Sequence, residues 1–532
     1  MNSLTGTRDL LRLYVRRDRV KLPAGILLMA LVMASNVSGF KRLYSTAQER
    51  ADFARGIDSN NAQLFLYGAV HRGDTLGGLV AWRSAAIGGV VMGLISLFLV
   101  IRHTRGEEES GRAELVLSGR VGQRAQLTAA LVLALVSNLG AAAYILALLL
   151  FYRLPAGGSV ALSLGLAAVG MVFAGVGAVA AQLTESARTA RGIAATVLGA
   201  AFLLRALGDT SASTPWLSWL SPVGWVERLL AFAGDRWWVF AAFLAATAVL
   251  AGAGYLLSAR RDFGAGIWPA RLGPAAAPPS LRSPFGLAWR LQRPALLGWS
   301  VGFAVVGATV GGAGKGISAE LNGSDSLKKL FRNLGGHGDL TDAYLATAMS
   351  ILGLLAAAYA VQAALRPSAE EAAGRVEPLL ATQATRLGWL GGHLAFAVLG
   401  PAVVLAVGGL ATGVVYGAAT HSLGHQVPRL LAGALVQLPA VWILAAIAVA
   451  LFGLAPRAVQ AGWGALVVFV LLGQIGSAFG WDQALLDVSP FTHIPRVPGV
   501  DPSATPLLAL VAIAVLLTAA GASGLRRRAI GA

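Results

Sequence analysis

No cysteine occurs among the 532 residues, so neither a disulfide nor a thiolate metal site can form. Charge is also scarce. Only 13% of residues are charged, against roughly 25% in a soluble domain, so lipid must supply much of the solvent. Acids are the scarcer sign, with 25 Asp and Glu against 42 Lys and Arg. A net charge of +17 would suit a nucleic-acid binder, but the basic residues sort by position between apolar runs, which suits a membrane protein better. No cleavage site follows the first apolar run, so no removable signal peptide is expected.

What the chain has in abundance is apolar sequence, 56% of all residues, in long continuous runs. Such runs indicate helices, because barrel strands alternate in hydrophobicity. The runs lie at 23–41, 84–102, 125–151, 158–183, 191–207, 237–257, 295–314, 343–365, 388–417, 430–453, 460–480 and 506–525. They predict an all-α polytopic membrane protein with twelve transmembrane helices. Pro401 and Pro439 are the expected kink points of the ninth and tenth. Arginine-rich segments alternate with basic-poor ones, placing both termini on the inner side. Trp216, Trp219, Trp225, Trp237 and Trp238 gather on the other side, as an interfacial belt.

The chain repeats itself. After the second run it reads Glu107-Glu-Glu-Ser-Gly-Arg-Ala-Glu-Leu-Val-Leu-Ser118, and after the eighth, Glu370-Glu-Ala-Ala-Gly-Arg-Val-Glu-Pro-Leu-Leu-Ala381. At a constant offset of 263, Glu107, Glu108, Gly111, Arg112, Glu114 and Leu117 meet Glu370, Glu371, Gly374, Arg375, Glu377 and Leu380. Each half holds six runs, so both copies share one orientation and the duplication is parallel. The expected organisation is an amphipathic elbow at 1–22, a six-helix half at 23–263, a Pro/Ala/Gly linker at 264–284 and a second half at 285–532.

Glu108 and Arg112, like Glu371 and Arg375, stand at the i,i+4 spacing that supports a short helix, while Gly111 and Gly374 permit a bend. One such loop reads as a solvated turn; two near-copies in equivalent places read as docking surfaces, with Leu115, Val116 and Leu117 or Leu379 and Leu380 as an apolar side. In the N-terminal stretch Arg8, Arg12, Arg16 and Arg19 share one helical face, with Leu10, Leu13 and Tyr14 off it. That pattern suits either a helix in the membrane interface or a simple topology anchor.

The acidic-x-x-Gly-x-x-Glu-Leu loop behind an N-terminal elbow resembles the ABC-2 type transporter permeases (type V exporters), whose motif is Glu-x-x-Gly-Thr-x-Glu-x-Leu. An Arg in place of the Thr, the fusion of two halves and Arg-Ala-Leu-Gly-Asp at 205–209 are similar to the tetronasin-type actinobacterial exporters of polyketide antibiotics. The resemblance implies a permease without its own ATPase site, working by alternating access to export amphipathic drugs, antibiotics or lipid-like compounds through a bacterial plasma membrane. It also implies a cytoplasmic ABC ATPase partner, in two copies, carrying ATP and Mg. Glu107, Glu108, Gly111, Arg112 and Glu114, with Glu370, Glu371, Gly374, Arg375 and Glu377, would then form the coupling surface. Ala373 for Ser110 and Pro378 for Leu115 set the two copies apart.

Other chemistry is sparse. Gly311-Gly-Ala-Gly-Lys-Gly316 lacks the leading glycine and the hydroxyl residue of a phosphate loop. His421 and His425 have no third metal ligand nearby, and His393 reads as a buried, hydrogen-bonded histidine. Arg205, near the outer end of a run, is either a pathway residue or one that snorkels to the interface or pairs with Asp209. The outer segments 42–80 and 315–340, with helix-like Ser326–Leu334, are either a cap or solvated loops. A twelve-helix ion-coupled carrier is the competing function, disfavoured because nearly every acid lies outside the runs. A membrane-embedded enzyme or scaffold is the third, disfavoured by the lack of a convergent catalytic set.

Overall fold

The computed structural model describes residues 3–58, 61–117, 119, 121–210, 214–269, 273, 276, 278–323, 340–472, 482–495, 497 and 504–529. Among them there is no strand, and eleven helices are long and apolar enough to cross a membrane. The protein is therefore a helical, multi-pass membrane protein. The expected run at 460–480 is described as a ten-residue helix, Ala461–Val470; residues 473–481 lie outside the described residues.

The chain divides into two compact units, Met1–Gly273 and Pro274–Ala532. In the first unit a short α1 (Thr7–Asp18) precedes α2 (Lys21–Leu43). The helices α3 (Ala47–Asp58) and α4 (Asn61–Tyr67) fold over the start of α5 (Leu76–His103), whose first turn is capped by the Thr75 hydroxyl accepting from Gly78 N at 3.0 Å. Phe53 and Tyr67 pack on Trp82 of α5. The described residues of the 42–80 segment thus form a folded helical pair. After α5 come α6 (Arg105–Glu109), α7 (Arg112–Leu117), α8 (Ala125–Phe151), α9 (Ala156–Leu183), α10 (Ala187–Thr210), α11 (Pro222–Arg228) and α12 (Val239–Ala259).

The second unit repeats this order. It runs α13 (Pro284–Gly323), α14 (Leu340–Ala364), α15 (Arg366–Ala372), α16 (Val376–Leu380) and α17 (Arg386–Ala419). Then follow α18 (Leu423–Leu435), α19 (Leu438–Leu454), α20 (Ala461–Val470), α21 (Gln483–Leu486) and α22 (Ala504–Arg527). The tenth run is broken between α18 and α19, where Pro439 occupies the first turn of α19, a position that needs no backbone N–H. Pro401 behaves differently, because α17 runs through it without interruption. The glycine-rich 311–316 stretch is helical, inside α13, and not the loop that a phosphate site requires. Ser326–Leu334 lies outside the described residues.

Packing follows the repeat as well. In the first unit α5 and α9 are the most buried spans and α2 and α12 among the least; in the second, α14 and the α18–α19 pair are central and α13 and α22 peripheral. Small residues allow the helices to approach closely. A Cβ on Gly453 of α19 would collide with the carbonyl oxygen of Gly521 in α22, and one on Gly524 would sit 2.7 Å from Gly453 O. Backbone cannot step aside cheaply, so Gly453→Ala is expected to cost about 1–3 kcal/mol. A lower unfolding temperature in detergent, at an unchanged level of membrane expression, is the observation that checks it.

Candidate functional site

Each acidic loop folds as two short helices meeting at a left-handed glycine. Gly111 has φ 72° between α6 and α7, and Gly374 has φ 67° between α15 and α16. That conformation is open to glycine at no steric cost. It also changes the pairing expected from spacing alone. Once the helix breaks, Arg112 Nε donates to Glu107 Oε2 at 3.0 Å, five residues back across the bend. Arg375 Nε donates to Glu370 Oε2 at 2.6 Å in the same way. The i,i+4 pairing anticipated for Glu108 with Arg112 is not formed, because the two residues no longer share one helix.

Glu108 and Glu371 instead tie the loops to an arginine just past the end of the last helix of their own units. Arg261 forks onto Glu108 at 2.7 and 2.9 Å, and Arg528 forks onto Glu371 at 2.5 and 2.8 Å. Arg105, fully buried, adds a 2.9 Å bond to Glu108 and gathers the carbonyls of Ala181, Gly264 and Ala265. In the second unit Arg386 gathers the carbonyls of Leu525, Arg526 and Arg528. Ala113 and Val376, also 263 apart, are the buried anchors of α7 and α16. Glu114 and Glu377 remain exposed beside them. In each loop, then, the first two acids, the glycine and the arginine shape the elbow, and the last acid faces outward.

The two loops differ in their apolar sides and in their bracing. Leu115 is 78% exposed, whereas Leu379 and Leu380 pack against the second unit's core. In the first loop Glu107 also pairs with Arg17 of α1; in the second, Glu370 pairs with Arg366 of its own helix at 2.6 Å. α1 is locked down further. Leu10 and Tyr14 are buried against α5 and α8, the Tyr14 ring stacks on His103 at 4.1 Å, and its hydroxyl donates to His103 O. Burial, and next the nearby Glu107, push the Tyr14 hydroxyl pKa up. Buried Asp18 accepts from Arg102 and stands 2.5 Å from His103 Nε2. The apolar residues Leu10 and Tyr14 thus serve protein packing and not lipid contact. Nothing in the spacing of Arg8 to Arg19 separates those two uses; the acid Asp18, next to the arginine cluster at 16–19, is the one available signal.

Arg205 sits in a different cluster. It is fully buried in α10, with Nε 2.9 Å from Asp209 and Nη2 on Glu227 of α11, while Nη1 donates to Phe65 O at the end of α4. Ser218 donates to Asp209 at 2.7 Å, and Arg228 reaches Asp209 at 3.3 Å. The pair with Asp209 expected for Arg205 is formed, with Glu227 as an additional partner. His421 and His425 are exposed around a turn, and among the described residues no three His, Asp or Glu side chains converge on a metal position. His393 is buried, with Nδ1 3.1 Å from Gln292 Nε2.

Comparison with known proteins gives these arrangements a family. A family model described as the multidrug efflux system permease Rv1217c, C-terminal domain, matches residues 281–526. The chain is also 45% identical over 528 residues, 99% of its own length and 96% of the relative's, to the multidrug efflux system permease protein Rv1217c of Mycobacterium tuberculosis. This chain belongs to the family of that multidrug efflux permease.

Proposed function

We propose that the chain is the membrane permease of an ATP-driven exporter of the ABC-2, tetronasin-like class, set in the bacterial plasma membrane with both termini inside. It would carry amphipathic drugs, antibiotics or lipid-like compounds outward by alternating access between its two six-helix halves. The relative's description as a multidrug efflux permease supports the substrate class. ATP and Mg belong on a separate cytoplasmic ATPase, one copy under each half. The observation that carries the reading is the recurrence of one elbow in both units: two short helices, a left-handed glycine, a buried Glu paired with an exposed Arg across the bend, and an outward acid.

The geometry also names the residues to test. Glu107, Glu108, Glu370 and Glu371 hold the loops, so their loss would confuse docking with folding. Glu114 and Glu377 are exposed, so their reversal is expected to leave the fold intact. Glu114→Arg with Glu377→Arg is expected to reduce permease-stimulated ATP hydrolysis roughly tenfold or more at unchanged melting temperature, since a misplaced like charge in an interface costs several kcal/mol. Single reversals are expected to be unequal, with Glu114→Arg the more damaging, because only the first elbow presents an open apolar neighbour in Leu115. The buried Asp209–Glu227 cluster is the feature that favours an ion-coupled carrier instead. Proton-driven transport by the chain alone, with no ATPase co-purifying, would decide for that alternative.

A further inference from the structure

We propose that the outward face of α1 is a docking surface for anionic phospholipid headgroups, which it holds beside the first coupling elbow. The inward face of α1 is already spent on Leu10, Tyr14 and Asp18, buried on α5 and α8. On a 3.6-residue helix the opposite side is then fixed, and it carries Arg8, Arg12, Arg16 and Arg19, all exposed. Among the described residues none of these four guanidinium groups has an ion-pair partner, whereas Arg17, turned toward the protein, is taken by Glu107. Apolar side chains flank the stripe and are open too: Leu13 is 50% exposed, Val15 45% and Val20 70%.

Position selects the partner. Only Arg19 and Val20 separate α1 from α2, a helix apolar enough to cross the membrane, so the stripe lies at the level where headgroups begin. Basic clusters beside a span attract anionic lipid, and a guanidinium fork meets a phosphate with two parallel bonds. The one exposed acid on the helix is Asp9; the other, Asp18, is buried, paired with Arg102 and in hydrogen-bond contact with His103. An ATPase groove that reads the exposed acids Glu114 and Glu377 would carry the opposite sign of charge from the one this stripe requires. The lipid is therefore the occupant the charges fit. The choice of the inner leaflet rests on the orientation proposed above; the lipid preference does not.

The absence of cysteine makes the test direct. Leu13→Cys in the full chain, labelled with an environment-sensitive fluorophore and reconstituted in bilayers, reports which lipids surround α1. Spin-labelled phosphatidylglycerol is expected to quench it roughly fivefold more strongly than spin-labelled phosphatidylcholine, the preference that one basic residue near a charged surface provides. The ratio should fall toward one in salt of about 0.5 M, where surface charges are screened. It should fall likewise when Arg8, Arg12, Arg16 and Arg19 are all changed to Gln, and survive when all are changed to Lys. Equal quenching by both lipids, no quenching by either, or a ratio that persists in the Gln variant overturns the proposal. So does a Gln variant that keeps its lipid preference and loses the ATPase, because the stripe then belongs to that subunit. Should the Gln variant fail to fold, the salt titration of the unsubstituted stripe decides alone. Labelling of the same cysteine in intact cells by a membrane-impermeant reagent would move the leaflet and overturn the orientation, leaving the lipid preference in place.

Discussion

Arg205→Met is expected to destabilise the first unit by about 3–5 kcal/mol, the usual cost of removing one partner from a buried charge cluster. The arginine does three things at once: it faces Asp209, it faces Glu227, and it donates to Phe65 O at the end of α4. Methionine fills a similar volume and does none of them. Arg205→Lys keeps the charge, but a single ammonium cannot fork to three places, so it is expected to recover less than half of the loss. Melting in detergent measures both variants; a methionine variant that melts like the parent chain would falsify the role of the cluster. The cluster also has a pH signature. Burial pushes the Glu227 carboxyl up to about 8, against the pull of Arg205 and with the push of Asp209. A carboxyl whose folded pKa exceeds its unfolded value of 4.5 favours the folded state fully below 4.5 and progressively less as pH rises through 8. The chain should therefore lose stability between about pH 5 and pH 9, and Glu227→Gln should flatten that dependence.

The second large effect is expected at Glu108. Its side chain is 5% exposed and answers two buried arginines, Arg105 and Arg261, at 0% and 7%. Glu108→Ala leaves both facing only carbonyl and amide oxygens, and about 3–5 kcal/mol of stability should be lost. Glu371→Ala in the second unit is the built-in comparison. Its pair with Arg528 has the same fork but is 14–15% exposed on each side, so water compensates more, and a loss of about 1–3 kcal/mol is expected. Unfolding followed by tryptophan fluorescence would measure both. Equal losses in the two variants would contradict the claim that burial sets the difference.

The spans and the duplication are legible in the sequence because both leave periodic marks: long apolar runs, and a charged loop repeated at an offset of 263. The glycine bend is legible too, since Gly111 and Gly374 stand where a helix has to break. The pairing register is not. A spacing rule assumes one continuous helix, and the left-handed glycine moves Arg112 from Glu108 to Glu107. Long-range partners are equally hidden. Arg261 lies 153 residues from Glu108, and nothing local to either marks the other. The amphipathic α1 shows the limit of a moment argument, because an apolar face looks the same whether it meets lipid or, as Tyr14 does, the ring of His103. Arg205 demands a partner on sight, and Asp209 stands one turn away in the sequence; Glu227 is hidden, since α11 first has to fold back onto α10.

The bond from Arg205 to Phe65 O spans 140 residues, and it sets an order for assembly. The ribosome delivers α3 and α4 early, and then α5, α8 and α9, before the guanidinium that clamps α4 exists. Until then the helical pair must stand without its anchor. The arginine in turn is costly to insert and finds Asp209 one helical turn later in its own span. Insertion of the fifth span and closure of the earlier loop are thus one event in the biogenesis of this permease, and a chain stalled before residue 205 should leave residues 47–67 open to protease where a longer nascent chain protects them.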